Sequence, residues 1–224
     1  MKNFNLSEEV KQKFPDFKFF GLKIENVVVS EKIQGVTAKR KEIINEFKSK
    51  YNPESISANP LVKSIRELFV AMNVDPDVEP TAVENLTKII YKGGGLPSIN
   101  SVVDSANLAS VGSLMPIGAF DSDKMKGSVL LRFSKEGEVL EPIGRNKEIL
   151  RGGILIMADD LGVISRPLYK DSKRTMITKD TKNIYLFTAQ YGQILKEDVQ
   201  KSLNLAAEII KMSSQGSRGE IFEF

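Results

Sequence analysis

Apolar positions recur at three- and four-residue intervals in several separate stretches of the chain, the spacing that gathers side chains on one side of a helix. Ile43, Ile44 and Phe47 mark a helix over residues 37–50, whose other side carries the basic run Lys39, Arg40, Lys41 and Lys48. Leu61, Ile65, Leu68, Phe69 and Met72 mark a second helix, opened by Asn59 and Pro60 in the order of a cap followed by a first-turn proline. Val83, Leu86, Ile89 and Ile90 predict a third over residues 81–92, ended by Gly93, Gly94 and Gly95, and Val199, Leu203, Ala206 and Ile210 a closing one over 196–212. A shorter helix starts after Ser7 and stops at Pro15. Aromatic and β-branched runs predict strands instead, at residues 17–29, 127–133, 138–140, 153–157, 163–165 and 183–188. Helices dominate the first half and strands the second. That segregation predicts an α+β fold with a mixed or sandwich-like β-sheet core flanked by helices, not a doubly wound parallel sheet.

One stretch breaks the general alternation of charge. Residues 93–120 carry a single charge, Asp104, in a chain that is 27% charged, so this stretch reads as interior. Polar residues interrupt it long before roughly 18 apolar residues accumulate, which excludes a membrane span. Ile99, Val102, Val103, Ala106 and Ala109 form its apolar side, and Asn100, Asp104 and Asn107 fall on a second stripe. Short polar groups in such a helix are held by hydrogen bonds, because burying them unpaired costs a few kcal/mol each. Either they tie neighbouring loops to the core, or they line a pocket.

Composition removes whole classes of chemistry. The 224 residues include neither cysteine nor histidine, so disulfides, thiolate zinc sites, cysteine nucleophiles and imidazole bases are unavailable. The three glycines follow a helix instead of a strand and precede no Gly-Lys-Ser/Thr, so they do not read as a phosphate loop. No cofactor or metal is expected. A net charge of +3 permits a polyanionic partner without demanding one. The basic run near residue 40 reads as a solvated face unless it points at a pocket mouth. The first residues lack the apolar core of a signal peptide, and a cytoplasmic location is expected. Residues 1–55 read as an N-terminal region packed on the core, 56–212 as the core with a helical lead-in, and 213–224 as a loose tail.

Several motifs in one order carry a resemblance. INSVVDSAN (residues 99–107), MPIGAFDSDKM (115–125), LLRFSKEGE (130–138), ILIMADDLG (154–162) and DTKNIYLFTAQY (180–191) together resemble the editing domain of the phenylalanyl-tRNA synthetase beta subunit. The preceding SIRELFVAMNVDPDVEPTAVENLTKIIYKGGGLPSIN looks like the lead-in of freestanding relatives of that domain, which lack the synthetase catalytic core. The resemblance implies the fold of that domain and an editing-type deacylase that hydrolyses the ester of a mischarged tRNA in trans, with tRNA as partner. A non-catalytic tRNA or RNA binder, or a binder of free amino acids, is the alternative.

By the same resemblance Asn107 is the catalytic donor or orienting group, and Ala106 replaces a neighbouring threonine. Gly118 stands where bacterial synthetases have a histidine, and Ala189 matches a small residue that leaves room for the substrate side chain. Asp171 is expected to hold the substrate ammonium, and Arg174 to meet phosphate or pair with Asp171. Asp104 supports Asn107. Ser98 and Asn100 complete the expected substrate-binding set, with capping of the central helix as their plainer role. Arg132 and Glu138 read as a charge pair across adjacent strands.

Overall fold

The chain opens with strand β1 (Phe4–Leu6), helix α1 (Glu8–Lys13) and strand β2 (Lys18–Val27), in a computed structural model that describes residues 2–93 and 95–224. Four helices follow where the periodicity predicts them: α2 (Thr37–Lys50), α3 (Pro60–Ala71), α4 (Ala82–Tyr91) and α5 (Ser101–Ser113). Their ends are set by local chemistry. Asn59 Oδ1 accepts the Leu61 N–H at 3.0 Å to start α3, and Thr81 and Glu84 form a reciprocal capping box at the start of α4. Of the three glycines expected to end α4, Gly94 lies outside the described residues.

Among the described residues the strands form three sheets. β4 (Val129–Phe133), β7 (Leu155–Asp159), β8 (Gly162–Arg166) and β9 (Lys170–Asp171) join β1 in the order β1-β4-β7-β8-β9, with β1 parallel to β4 and the other neighbours antiparallel. A second, antiparallel sheet runs β11-β2-β10-β3, using β3 (Gly118–Asp121), β10 (Ile184–Gln190) and β11 (Gln215–Glu223). β5 (Glu138–Leu140) and β6 (Glu148–Leu150) pair separately. Helix α6 (Lys196–Ser214) packs on β2, β10 and α5. The fold is α+β with a mixed sheet core, as the segregation of elements predicts.

Aromatic rings join the first two sheets. Phe4 on β1 meets Tyr185 and Phe187 of β10 at centroid distances of 4.9 and 5.5 Å, in the edge-on geometry that favours the ring quadrupoles. β7 is buried on both faces, with Leu155 and Met157 in the main core and Ile156 and Ala158 in a small cluster with Leu140, Leu150 and Val163. This is why ILIMA (residues 154–158) reads as an unbroken apolar run.

The structure corrects four expectations. Residues from 213 are not a loose tail: α6 runs to Ser214, and β11 pairs along β2 from Gln215 opposite Val27 to Glu223 opposite Phe20. The glycines and charges of SSQGSRGEIFEF obscured a strand whose Phe222 ring lies 5.0 Å from Phe4, with the Phe224 ring, just after the strand, at 5.1 Å. Ile99 is exposed and not on the apolar side, because Asn100 caps a helix that begins only at Ser101. β4 and β5 are not neighbours in a sheet, although Arg132 and Glu138 do pair, at 2.8 and 2.6 Å. Ser98 is exposed, and the cap of α5 is Asn100 alone.

Gly21 holds β11 in place by having no side chain. A Cβ there would lie 2.3 Å from Phe222 Cζ and 2.8 Å from Phe187 Cε1, closer than non-bonded carbons approach. Gly21→Val is expected to cost about 1–3 kcal/mol and to expose residues 215–224 to limited proteolysis. Unchanged stability and protease resistance would show that β11 does not depend on this contact.

Candidate functional site

α5 is pinned by its serines. The Ser101 hydroxyl accepts from the Ser30 N–H at 3.0 Å and from the Ser214 hydroxyl at 2.7 Å, and the Ser105 and Ser213 hydroxyls lie 2.8 Å apart. Ser110 accepts the Ile117 N–H at 3.1 Å and so fixes the chain that leaves the helix toward β3. The polar stripe then divides by role. Asn100 accepts from the Val103 N–H at 3.0 Å. Asp104 Oδ1 accepts the Ile99 N–H at 2.8 Å, and burial lifts this carboxyl above its ordinary value against the pull of that bond. Asn107 differs, because its side-chain amide has no hydrogen-bond partner among the described residues.

That amide lines a cleft of about 190 Å³. Pro116, Ile117, Gly118 and Phe120 close one side, Phe19 and Phe187 another, and Ala82 at the start of α4 a third. Ser165 on β8, Asp171 on β9 and the connection Pro167, Leu168 and Tyr169 complete the wall. A Cβ at Gly118 would sit 2.9 Å from the Phe120 ring and 3.9 Å from Asp171 Oδ2. Any larger residue there would therefore enter the cleft.

Asp171 is the unusual group. Burial pushes its carboxyl up from 3.8 to about 7, and no ion pair or hydrogen bond holds its carboxylate among the described residues. The Ser165 hydroxyl is buried and unpartnered as well. Buried polar groups are nearly always paired, so the orphaned Ser165 hydroxyl, beside the half-buried and unbonded Asn107 amide and Asp171 carboxylate, marks this cleft as a place suited to a ligand.

Other expected site residues lie elsewhere. Arg174 does not reach Asp171; its guanidinium grips Asp159 at 3.0 and 2.7 Å and donates to the Lys124 and Gly162 carbonyls. Burial opposes charge on Asp159, but Arg174 and the N–H groups of Lys126 and Leu161 hold the carboxyl below its usual value. Ala189 is fully buried, opposite Phe19 in the β2–β10 register, and does not line the cleft. Asn107, Gly118 and Asp171 are brought together; Ser98, Asn100, Asp104, Arg174 and Ala189 are not part of the lining.

Sequence reasoning missed the β8–β9 connection. Leu168 adopts φ +61, a backbone region that costs a branched residue on the order of 1–3 kcal/mol and collects at functional sites. The Arg166 guanidinium lies 4.6 Å and Lys170 Nζ 4.7 Å from the centroid of the Tyr169 ring, which fixes the ring at the cleft. Burial pushes Arg166 below its usual value. The apolar Pro167-Leu168-Tyr169 run between charged neighbours was the one available signal.

Comparison with known proteins supplies the context. The B3/4 domain family matches residues 64–221. The phenylalanine–tRNA ligase beta subunit of Protochlamydia amoebophila is 29% identical over 142 residues, 63% of this chain and 18% of that protein. The beta subunit of Mycoplasma pneumoniae is 31% identical over 126 residues, 56% of this chain and 16% of that protein. The chain thus spans less than a fifth of the length of these curated relatives. Among solved structures, an N-terminal fragment of the phenylalanyl-tRNA synthetase beta subunit from Pyrococcus horikoshii aligns with a TM-score of 0.48 and 14% identity, covering 99% of this chain and 53% of that one. The relation to the synthetase beta subunit implied by the motifs is borne out, and with most of its length matched the chain belongs to the B3/4 domain family.

Proposed function

We propose that the cleft takes the aminoacyl group of a mischarged tRNA and that the chain hydrolyses its ester in trans, as an editing-type deacylase. The observation that carries this reading is the convergence, on one small cleft, of the buried, orphaned Ser165 hydroxyl with the Asn107 amide and the Asp171 carboxylate, whose side chains make no hydrogen bond among the described residues. Its volume of about 190 Å³ equals roughly six waters of liquid at about 30 Å³ each. An amino acid fits that space; the nucleotide does not, and stays outside. The similarity to tRNA ligase beta subunits supports the choice of an esterified amino acid over a free one.

Each group has a chemical task. The Asp171 carboxylate receives the α-ammonium of the substrate, and the Asn107 amide N–H donates to the ester carbonyl oxygen as negative charge develops there. Water adds to the carbonyl carbon, the bond from carbon to ribose oxygen breaks, and the departing oxygen takes the proton through the neighbouring ribose hydroxyl. An aminoacyl ester is activated, so positioning and oxyanion stabilisation suffice without an imidazole. Binding without turnover is the second reading, favoured by the lack of any histidine or cysteine.

A panel of mischarged tRNAs tests the reading. Release of amino acid from at least one is expected; retention without release favours the binder, and the absence of both release and retention would overturn both readings. The pH profile is a sharper check. With the Asp171 carboxyl at about 7 in the free protein, kcat/KM is expected to fall about tenfold per pH unit below that point, as the carboxylate is lost. A bound ammonium favours the ionised form, so the fall in kcat sets in at lower pH. Asp171→Asn is expected to flatten the acid limb and raise KM. An unchanged acid limb in that variant would remove Asp171 from the site.

A further inference from the structure

Charge on α2 is divided between its two flanks. Lys39, Glu42, Glu46 and Lys50 line the groove toward α5 and neutralise one another: Lys39 Nζ lies 3.7 Å from Glu42 and 3.6 Å from Glu208, and Lys50 lies 2.7 Å from Glu46. The opposite flank presents Arg40, Lys41 and Lys48 to a groove of about 400 Å³, floored by Ile44, Ile90 and Leu96. No carboxylate lies within ion-pair distance of these three cations among the described residues. The acidic group that feels Arg40 is Asp104, which is buried and bonded to the Ile99 amide. Lys88 and Lys92, at the end of α4, likewise have no carboxylate within ion-pair distance among the described residues. Lys48 Nζ sits 5.7 Å from the centroid of the Tyr91 ring, and the Tyr91 hydroxyl donates to the Tyr51 carbonyl at 2.6 Å, which holds the two helices at a fixed separation.

α4 connects this groove to the cleft. Ala82 at its start lines the cleft and Ile90 near its end lines the groove, eight residues apart and so separated by about 12 Å at 1.5 Å per residue. We propose that the groove between α2 and the end of α4 docks the sugar–phosphate backbone of the RNA whose terminal ester enters the cleft. The identity of the RNA rests on the deacylase reading; the docking surface does not. Exposed point charges spread along an open, apolar-floored groove suit a string of singly charged phosphates, each of which releases a counterion on contact. α2, which supplies Arg40, Lys41 and Lys48, lies outside the matched residues 64–221, whereas Ile90 and Leu96 of the groove floor lie within them.

The test is tRNA binding by the full chain as a function of KCl. R40Q/K41Q/K48Q is expected to weaken binding about tenfold or more at low salt and to reduce the slope of log K against log salt by about 2, at roughly 0.7–0.9 per phosphate lost. K39Q/K50Q, on the self-neutralised flank, is expected to leave the slope unchanged, and hydrolysis of an aminoacyl ester of adenosine alone is expected to be the same in all three proteins. An unaltered slope in the triple variant, or an equal loss in the control, would overturn the proposal. So would displacement of tRNA by inorganic phosphate where KCl of equal ionic strength has no effect, which would make the groove a small-anion site. The deacylase reading fails separately, if the adenosine ester is not cleaved while tRNA is still held through the groove.

Discussion

Asn107→Ala is expected to slow deacylation of a susceptible mischarged tRNA by about a hundred-fold or more, the usual consequence of removing one oxyanion donor. The variant should fold normally. The amide makes no hydrogen bond among the described residues, so its removal leaves no orphaned partner, and alanine is a better helix former than asparagine. The loss should appear mainly in kcat, because the donor is needed most as charge builds on the carbonyl oxygen. A stable Asn107→Ala protein with full activity would exclude the amide as that donor.

Arg174→Ala is expected to cost stability instead, by about 3–5 kcal/mol in urea unfolding at pH 7. The reason is the Asp159 side chain, which is fully buried and gripped through both oxygens. Without Arg174 a buried charge is left with only backbone N–H partners. The sign with pH follows from the depressed Asp159 carboxyl. In the parent chain this pair contributes stability above the unfolded carboxylate range near 4, and loses it as pH falls through the lower folded value. The penalty of Arg174→Ala should therefore shrink on acidification, as Asp159 takes up a proton in both proteins. Lysine cannot reproduce the two-pronged contact, so Arg174→Lys should fall between the two. A stable Arg174→Ala that loses tRNA binding would restore the phosphate-contacting role expected from the sequence.

Elements with a strong local signal were legible. α3 and α4 announce themselves through Asn59 and Thr81 caps and a regular apolar face, and β7 and β10 through unbroken apolar runs. β1 and β9, with three and two residues, exist only because a neighbouring strand pairs with them, and nothing in so short a segment encodes that partner. β11 alternates polar and aromatic residues behind a bulge between Arg218 and Ile221, and its signal was masked by glycine and charge. The cleft follows the same logic. Asn107, Gly118 and Asp171 were named through the resemblance, but Ser165, Leu168 and Tyr169 reach the cleft through the β8–β9 pairing and the left-handed turn at Leu168. Periodicity describes a face of one element and says nothing of what a distant strand brings opposite it.

Glu25 and Ser217 touch across 192 positions of chain, because β2 lies between β10 and β11. A ribosome must therefore make almost everything before the middle strand of this sheet gains either neighbour. Until then the emerging polypeptide displays a bare apolar ribbon, FFGLKI, with unsatisfied amides along both borders. Such long-range closure slows folding. Chaperone-depleted translation should consequently leave this protein aggregated sooner than a helical bundle of equal length.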